Sequence, residues 1–147
     1  MFKHILVPVD GSGTSLAAID KAVGLAKSYG STVTAIYVID PYPFTGVGAD
    51  FAYGQDQYLS AARSEASTAI DAVAARLTQA GIAVDTRVVE AHTVWRGILE
   101  AAEAVGADLL VMGSHGRRGL EKLVLGSVTQ SVLSHTKLTT LVVRETA

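Results

Sequence analysis

The chain contains no cysteine, which excludes disulfide frameworks, thiolate zinc sites and cysteine nucleophiles. It is also poor in charge: 18% of its 147 residues, with 12 basic against 14 acidic side chains. A net charge of −2 lacks the basic excess with which a general nucleic-acid binder neutralises phosphates. No nucleic-acid partner is therefore expected. No apolar run approaches the ~20 residues that cross a bilayer. The opening segment, which includes Ile5-Leu-Val-Pro-Val9, lacks the length and small-residue cleavage site of a signal peptide. These absences predict a soluble, cytoplasmic protein without a membrane span. With 49% apolar side chains and no internal repeat or low-complexity tract, a chain this long can bury roughly 70% of its unfolded surface. One domain covering residues 1–147 is expected.

Four short, β-branched segments bounded by turn formers read as buried strands: Ile5 to Val9, Val33 to Ile39, Leu109 to Met112 and Leu141 to Val143. A fifth, Ile82 to Val89, alternates and carries Asp85 and Arg87 on one face, as an edge strand would. Helical stripes lie between them. Leu16, Ile19, Val23 and Ala26 form one, Leu59 through Leu77 a longer one, Ile98 through Val105 a third, and Val128, Val132 and Leu133 a fourth. Gly30, Gly81 and Gly106 follow the first three as stops. Strict alternation of strand and helix predicts an α/β fold with a doubly wound, five-stranded parallel sheet and helices on both faces. Asp40 to Gln57, with two prolines, three glycines and Tyr42, Phe44, Phe51 and Tyr53, reads as a long irregular loop.

Two five-stranded orders are common in such sheets, 3-2-1-4-5 and 2-1-3-4-5. The second places strand three at the centre, where Asp85 and Arg87 do not belong, so 3-2-1-4-5 is predicted. That order reverses between strands one and four, and ligands bind beyond the strands' carboxyl ends at such a crevice. The loops meeting there are Asp10-Gly-Ser-Gly13 and residues 113–127. In the second loop Gly113-Ser-His-Gly116 follows a strand, and after nine residues Gly126 and Ser127 open a helix. Glycines permit positive φ and close approach of a ligand to the backbone. A helix start offers free N–H groups and a favourable dipole to an anion, and Ser127 and Thr129 add hydroxyls. Phosphate is the natural guest. The plain alternative is two turns and a serine N-cap.

The spacing from Gly113 through Gly116 to Gly126-Ser127 resembles the nucleotide loop of the universal stress protein family. The opening Ile5-Leu-Val-Pro-Val-Asp-Gly-Ser12, the segment Ala107-Asp-Leu-Leu-Val-Met-Gly113 and the final Leu141-Val-Val-Arg144 are similar to that family as well. The resemblance spans essentially the whole chain. It implies a Rossmann-like domain that is usually homodimeric, here through the last strand from Leu138 to Arg144, and whose members with this loop bind ATP, with magnesium carried by the phosphates. It implies that Gly113, Gly116, Gly126, Ser127, Val128 and Thr129 hold phosphates and ribose. Pro8, Asp10 and Val38 match positions on the adenine and ribose side, with Met112 near the base and Ser114 inside the loop. Many members place a proline before the last strand, where this chain has Leu138-Thr-Thr140.

Rival motifs fail. No lysine follows a glycine as a Walker loop requires. Gly11-x-Gly13-x-x-Leu16 resembles a dinucleotide fingerprint, but Leu16 replaces the third glycine. A receiver domain needs paired acids after strand one, and Asp10 stands alone. Asp10 could meet a ribose hydroxyl or magnesium, or form an Asx-type cap. His115 could contact phosphate or act as an acid–base group. His4, His92 and His135 read as locally satisfied, and Trp95 as helix packing. Arg117 and Arg118 could reach polyphosphate. The expected function is a nucleotide-dependent regulatory module in stress response, with adenine nucleotide and an unidentified regulatory protein as partners. The alternative is a slow ATPase or a nucleotidyl or phosphoryl transferase on the same scaffold.

Overall fold

The computed structural model describes residues 1–41, 49–115 and 125–144, with the backbone alone for 49–53. The elements run β1 (His4–Pro8), α1 (Gly13–Tyr29), β2 (Thr32–Ile39), α2 (Ala49–Gln79), β3 (Thr86–Glu90), α3 (Val94–Val105), β4 (Leu109–Gly113), α4 (Ser127–His135) and β5 (Thr139–Val143). The strands form one parallel sheet in the order β3-β2-β1-β4-β5, as the charges flanking strand three predicted. Ile5, Leu6 and Val7 at its centre have no exposed surface, whereas Val88 on the β3 edge is 46% exposed. The apolar run of β1 is thus explained by burial on both faces.

Two cores sandwich the sheet. On one face Ile5, Val7, Val33, Ala35, Leu109 and Val111 meet Ile19 and Ala22 of α1 and Val73 and Leu77 of α2. On the other Leu6, Ile36, Leu110 and Met112 meet Ile98 and Ala102 of α3 and Val132 of α4. α1 and α3 end at Gly30 and Gly106 in left-handed conformation. Trp95 of α3 stacks on His135 at the end of α4, centroids 4.0 Å apart, so this residue is helix packing as expected. Among the described residues no helix is long and apolar enough to cross a membrane.

Two expectations are corrected. β3 begins at Thr86, not Ile82, because Ile82 closes the end of α2: its N–H donates to the Leu77 carbonyl at 2.9 Å and it packs on the first core. The stretch from Asp40 to Gln57 is not irregular throughout, since α2 already starts at Ala49. Gly54 lies inside that helix, and Gln55 Nε2 donates to the Pro41 carbonyl at 3.0 Å, tying the helix to the end of β2. Residues 42–48 of that stretch, Tyr42 and Phe44 among them, lie outside the described residues.

The amino-terminal edge of the sheet is sewn by side chains. His4 Nε2 lies 2.7 Å from Thr34 Oγ1 and His4 Nδ1 2.6 Å from Thr32 Oγ1, so His4 is satisfied as expected. The Thr34 hydroxyl donates to Asp85. The Asp108 carboxylate accepts the Lys3 N–H at 2.9 Å and the His4 N–H at 3.0 Å, and the Asp108 N–H donates to the His4 carbonyl. The Lys3 amide, then the His4 amide, hold the Asp108 carboxyl below the usual range. A depressed carboxylate stabilises the fold above its unfolded pKa, about 3.9, and that stabilisation is lost as pH falls through the lower folded value. Asp108→Asn should therefore lower the melting temperature at pH 7, and the gap to wild type should narrow in acid, well below the unfolded value of about 3.9. Thermal unfolding at pH 7 and in acid checks this; a gap that persists in acid would place the effect elsewhere.

Candidate functional site

β1 pairs with β2 on one side and β4 on the other, so the loops after β1 and β4 part to opposite faces of the sheet. The first feeds α1 and the second α4, and a cleft of about 380 Å³ opens between them. Pro8, Asp10, Val38, Gly113, His115, Gly126, Ser127, Val128 and Thr129 all line it. The structure thus brings most of the expected residues together from β1, β2, β4 and α4. Val9, Ser15, Tyr37 and Val94 line it too and were not anticipated. Their signal was positional: each sits at a strand's carboxyl end or at a helix start facing the crevice, with no motif to mark it.

α4 begins at Ser127, and its N-cap, Gly126, provides no side-chain cap. The first intrahelical bond runs from the Gln130 N–H to the Gly126 carbonyl at 2.9 Å, so the amides of Ser127, Val128 and Thr129 precede the ladder. Orphan N–H groups at a helix start favour an anion. Pro8, Val38 and Val94 add apolar side chains to the lining. The cleft therefore combines apolar lining with a polar, dipole-charged helix start.

Several expected roles change. Gly126 has φ −65° and ψ 158°, and the described glycines with positive φ do not include Gly113 or Gly126. Left-handed geometry is not what these two supply. The Gly126 N–H already donates to the Ser114 carbonyl at 2.7 Å, so it belongs to the frame. The Thr129 hydroxyl donates to the Gly113 carbonyl at 2.9 Å, and Thr129 is buried; its hydrogen is committed to the loop. Ser114 is wholly buried, with its N–H on the Val143 carbonyl at 2.8 Å. It fastens α4 to β5 and does not line the cleft. Met112 does not line it either, because it packs in the second core with Leu110 and Val132. Gly116, Arg117 and Arg118 lie outside the described residues.

Gly113 is required by a neighbouring element. A Cβ there would stand 2.5 Å from Thr14 Cγ2 and 3.1 Å from Thr14 Cβ, so the first turn of α1 rests directly on the end of β4. The Thr14 hydroxyl also lies 3.1 Å from His115 Nε2, while the Ser114 hydroxyl lies 3.2 Å from His115 Nδ1. Both ring nitrogens of His115 are thus within reach of protein hydroxyls. Asp10 Oδ1 accepts the Ser12 N–H at 2.9 Å, an Asx-type contact, while Ser12 itself caps α1 by accepting the Ser15 N–H. Of the other histidines, His92 pairs with Asp40, 52 residues away in sequence, at 3.4 Å, and His135 Nδ1 donates to the Ser131 carbonyl one turn back in its own helix.

Comparison with known proteins agrees with this architecture. The universal stress protein family model matches residues 1–144. A universal stress protein of Methanocaldococcus jannaschii is 35% identical over 145 residues, covering 99% of this chain and 84% of its own length. The universal stress protein UspA from Lactobacillus plantarum superimposes with a TM-score of 0.85 at 25% identity over 97% of each chain. A universal stress protein solved in complex with cAMP gives a TM-score of 0.72 at 24% identity over 99% of each chain, a likeness of fold.

The contact between Gly113 and Thr14 yields a stability prediction. Gly113→Ala should overpack this joint and cost about 1–3 kcal/mol. Adding Thr14→Ser removes the offending methyl, keeps the hydroxyl, and should restore part of the loss. Chemical denaturation of the two variants tests this; a Gly113→Ala protein as stable as wild type would show that the joint yields freely.

Proposed function

The chain belongs to the universal stress protein family, and from that premise we propose that it is a cytoplasmic, nucleotide-dependent regulatory module that holds an adenine nucleotide, ATP, in the cleft between β1 and β4. The observation that carries this reading is the start of α4, which lacks a side-chain cap and lines the same cleft as the apolar side chains of Pro8, Val38 and Val94. Phosphates would take the amides of Ser127 and Val128 and the Ser127 hydroxyl. The base would lie against Pro8, Val38 and Val94. A cleft of about 380 Å³ is within the range of small-molecule sites. The Asp10 carboxylate, which also lines the cleft, would face the ribose or a magnesium ion that arrives with the phosphates.

A regulatory role is favoured over turnover by the state of the acid–base groups. His115 has a hydroxyl at each ring nitrogen, and the Asp10 carboxylate holds the Ser12 amide. Both are held by neighbouring groups of the protein, and no described contact aims either of them at a water beside the phosphates. Binding without such a group does not by itself raise a rate.

The site makes a graded prediction. Ser127 is the first helical residue of α4 and follows an extended Gly126, so proline fits at 127 without breaking the helix. Ser127→Pro deletes one amide hydrogen and one hydroxyl. Ser127→Ala deletes only the hydroxyl. Gly126→Val keeps an allowed backbone but puts a side chain where the phosphates would rest. A hydrogen bond to a charged group contributes roughly 1.5–3 kcal/mol. ATP affinity by calorimetry should fall about tenfold for Ser127→Ala and further for the other two, with circular dichroism unchanged. Wild-type affinity in a folded Ser127→Pro protein would remove α4 from the site.

The β5 edge is the proposed homodimer surface. Leu141 on it is 39% exposed. The Val143 carbonyl faces the body of the sheet, where it accepts the Ser114 N–H, so the alternation of an extended strand turns the Val142 amide outward. An open strand edge of this kind pairs readily with a second copy. Val142→Pro removes the outward amide and leaves the ladder to β4 intact. Sedimentation should show wild type as a dimer at micromolar concentration and the variant as a monomer; a folded variant that stays dimeric would move the interface elsewhere.

A further inference from the structure

His115 occupies an unusual setting. It lines the cleft with the start of α4, and each of its ring nitrogens faces a hydroxyl, Thr14 Oγ1 at 3.1 Å and Ser114 Oγ at 3.2 Å. Thr14 and Ser114 are both buried. A hydroxyl can donate or accept. The neutral ring needs one hydroxyl to accept its N–H and the other to donate to its bare nitrogen. The imidazolium needs both hydroxyls to accept. The same heavy-atom arrangement therefore holds either state, because only hydroxyl hydrogens must turn. A carboxylate or an amide N–H in place of either hydroxyl would have fixed one state.

The other groups around the ring do not duplicate this ability. Asp10 and Tyr37 are the remaining titratable residues of the described lining. α1 presents Thr14 and Ser15, α3 begins with Val94, and α4 begins with Ser127 and Val128. Arg144 follows Val143 at the end of β5, beside Ser114. No lysine or arginine is among the described lining residues. An anion arriving at the start of α4 thus meets, in His115, a side chain of this wall that can acquire positive charge without repacking.

We infer that His115 takes up a proton when phosphate enters the cleft, so that nucleotide and proton bind together. This rests on the nucleotide reading above and adds a regulation to it: the site fills more readily as pH falls through the range in which imidazole titrates. By linkage, a group that holds its proton more tightly in the complex draws a proton from solution on binding, and affinity rises towards low pH. His115 acts here as a positioning charge, and no bond to the nucleotide is broken.

Calorimetry with ATP from pH 6 to pH 8, in buffers of different ionisation enthalpy, counts the protons taken up. The comparison is with His115→Gln, whose amide can satisfy both hydroxyls but cannot gain charge. ATP has a titrating terminal phosphate of its own, and that contribution is common to both proteins. Wild type should lose several-fold more affinity than the variant between pH 6 and pH 8. Equal pH slopes in two folded proteins that both bind ATP would overturn the inference and leave the nucleotide reading standing. ATP binding by neither protein at any pH would overturn both. A measurement on wild type alone guards against a variant that does not fold. The His115 ring protons, followed by NMR, should titrate at higher pH with ATP than without, and an unmoved midpoint would refute the proton uptake.

Discussion

The pairing of β1 with β4 is the constraint on which the cleft depends. These strands are far apart in sequence and feed helices on opposite faces, so their carboxyl ends leave a gap that no connection crosses. Keeping them adjacent requires residues apolar on both sides, which Ile5 to Val7 and Leu109 to Val111 supply. The pair is then fastened at both ends. Asp108 takes two backbone amides of the first strand's approach at one end. At the other, the bare Cα of Gly113 lets Thr14 settle onto β4.

Beyond that pair, the floor of the cleft is built from backbone. Ser114 gives its amide to Val143 and its carbonyl to Gly126, so a single buried residue sets the height of α4 against β5. Thr129 completes the joint through the Gly113 carbonyl. The helix start that faces the cleft is therefore fixed by contacts that leave the amides of Ser127 and Val128 outside the helical ladder. A frame that leaves donors unspent among the described residues is what pre-organised anion recognition needs.

Much of this could be read from the residues alone. Asp85 and Arg87 implied an edge position for β3 and so the strand order, and the order located the crevice. The glycine-rich turns after β1 and β4 then named most of the lining. What escaped was tertiary. Whether Met112 faces the cleft or the core is decided by strand register against α4, which no local pattern reveals. Ser114 and Thr129 looked like ligand donors, because a hydroxyl in a loop gives no sign of where its hydrogen goes. Gly113 looked like a place of ligand approach and does line the cleft, but its close packing on Thr14, remote in sequence, left no local sign. Tyr37 and Val94 carried no motif. The early start of α2 was hidden by Gly54, a poor helix former that the long helix tolerates.

The stack of Trp95 on His135 has an optical consequence. Trp95 is the chain's sole tryptophan, so all indole emission comes from one point, the seam between α3 and α4. Its ring lies against an imidazole, 18° from parallel, and beneath the Arg96 guanidinium, 5.2 Å from the ring centroid. An indole between two groups that carry or can carry positive charge emits according to how closely they approach. The fold thus contains a native fluorophore that registers any sliding of α4 along α3, without a label and without interference from the rest of the chain.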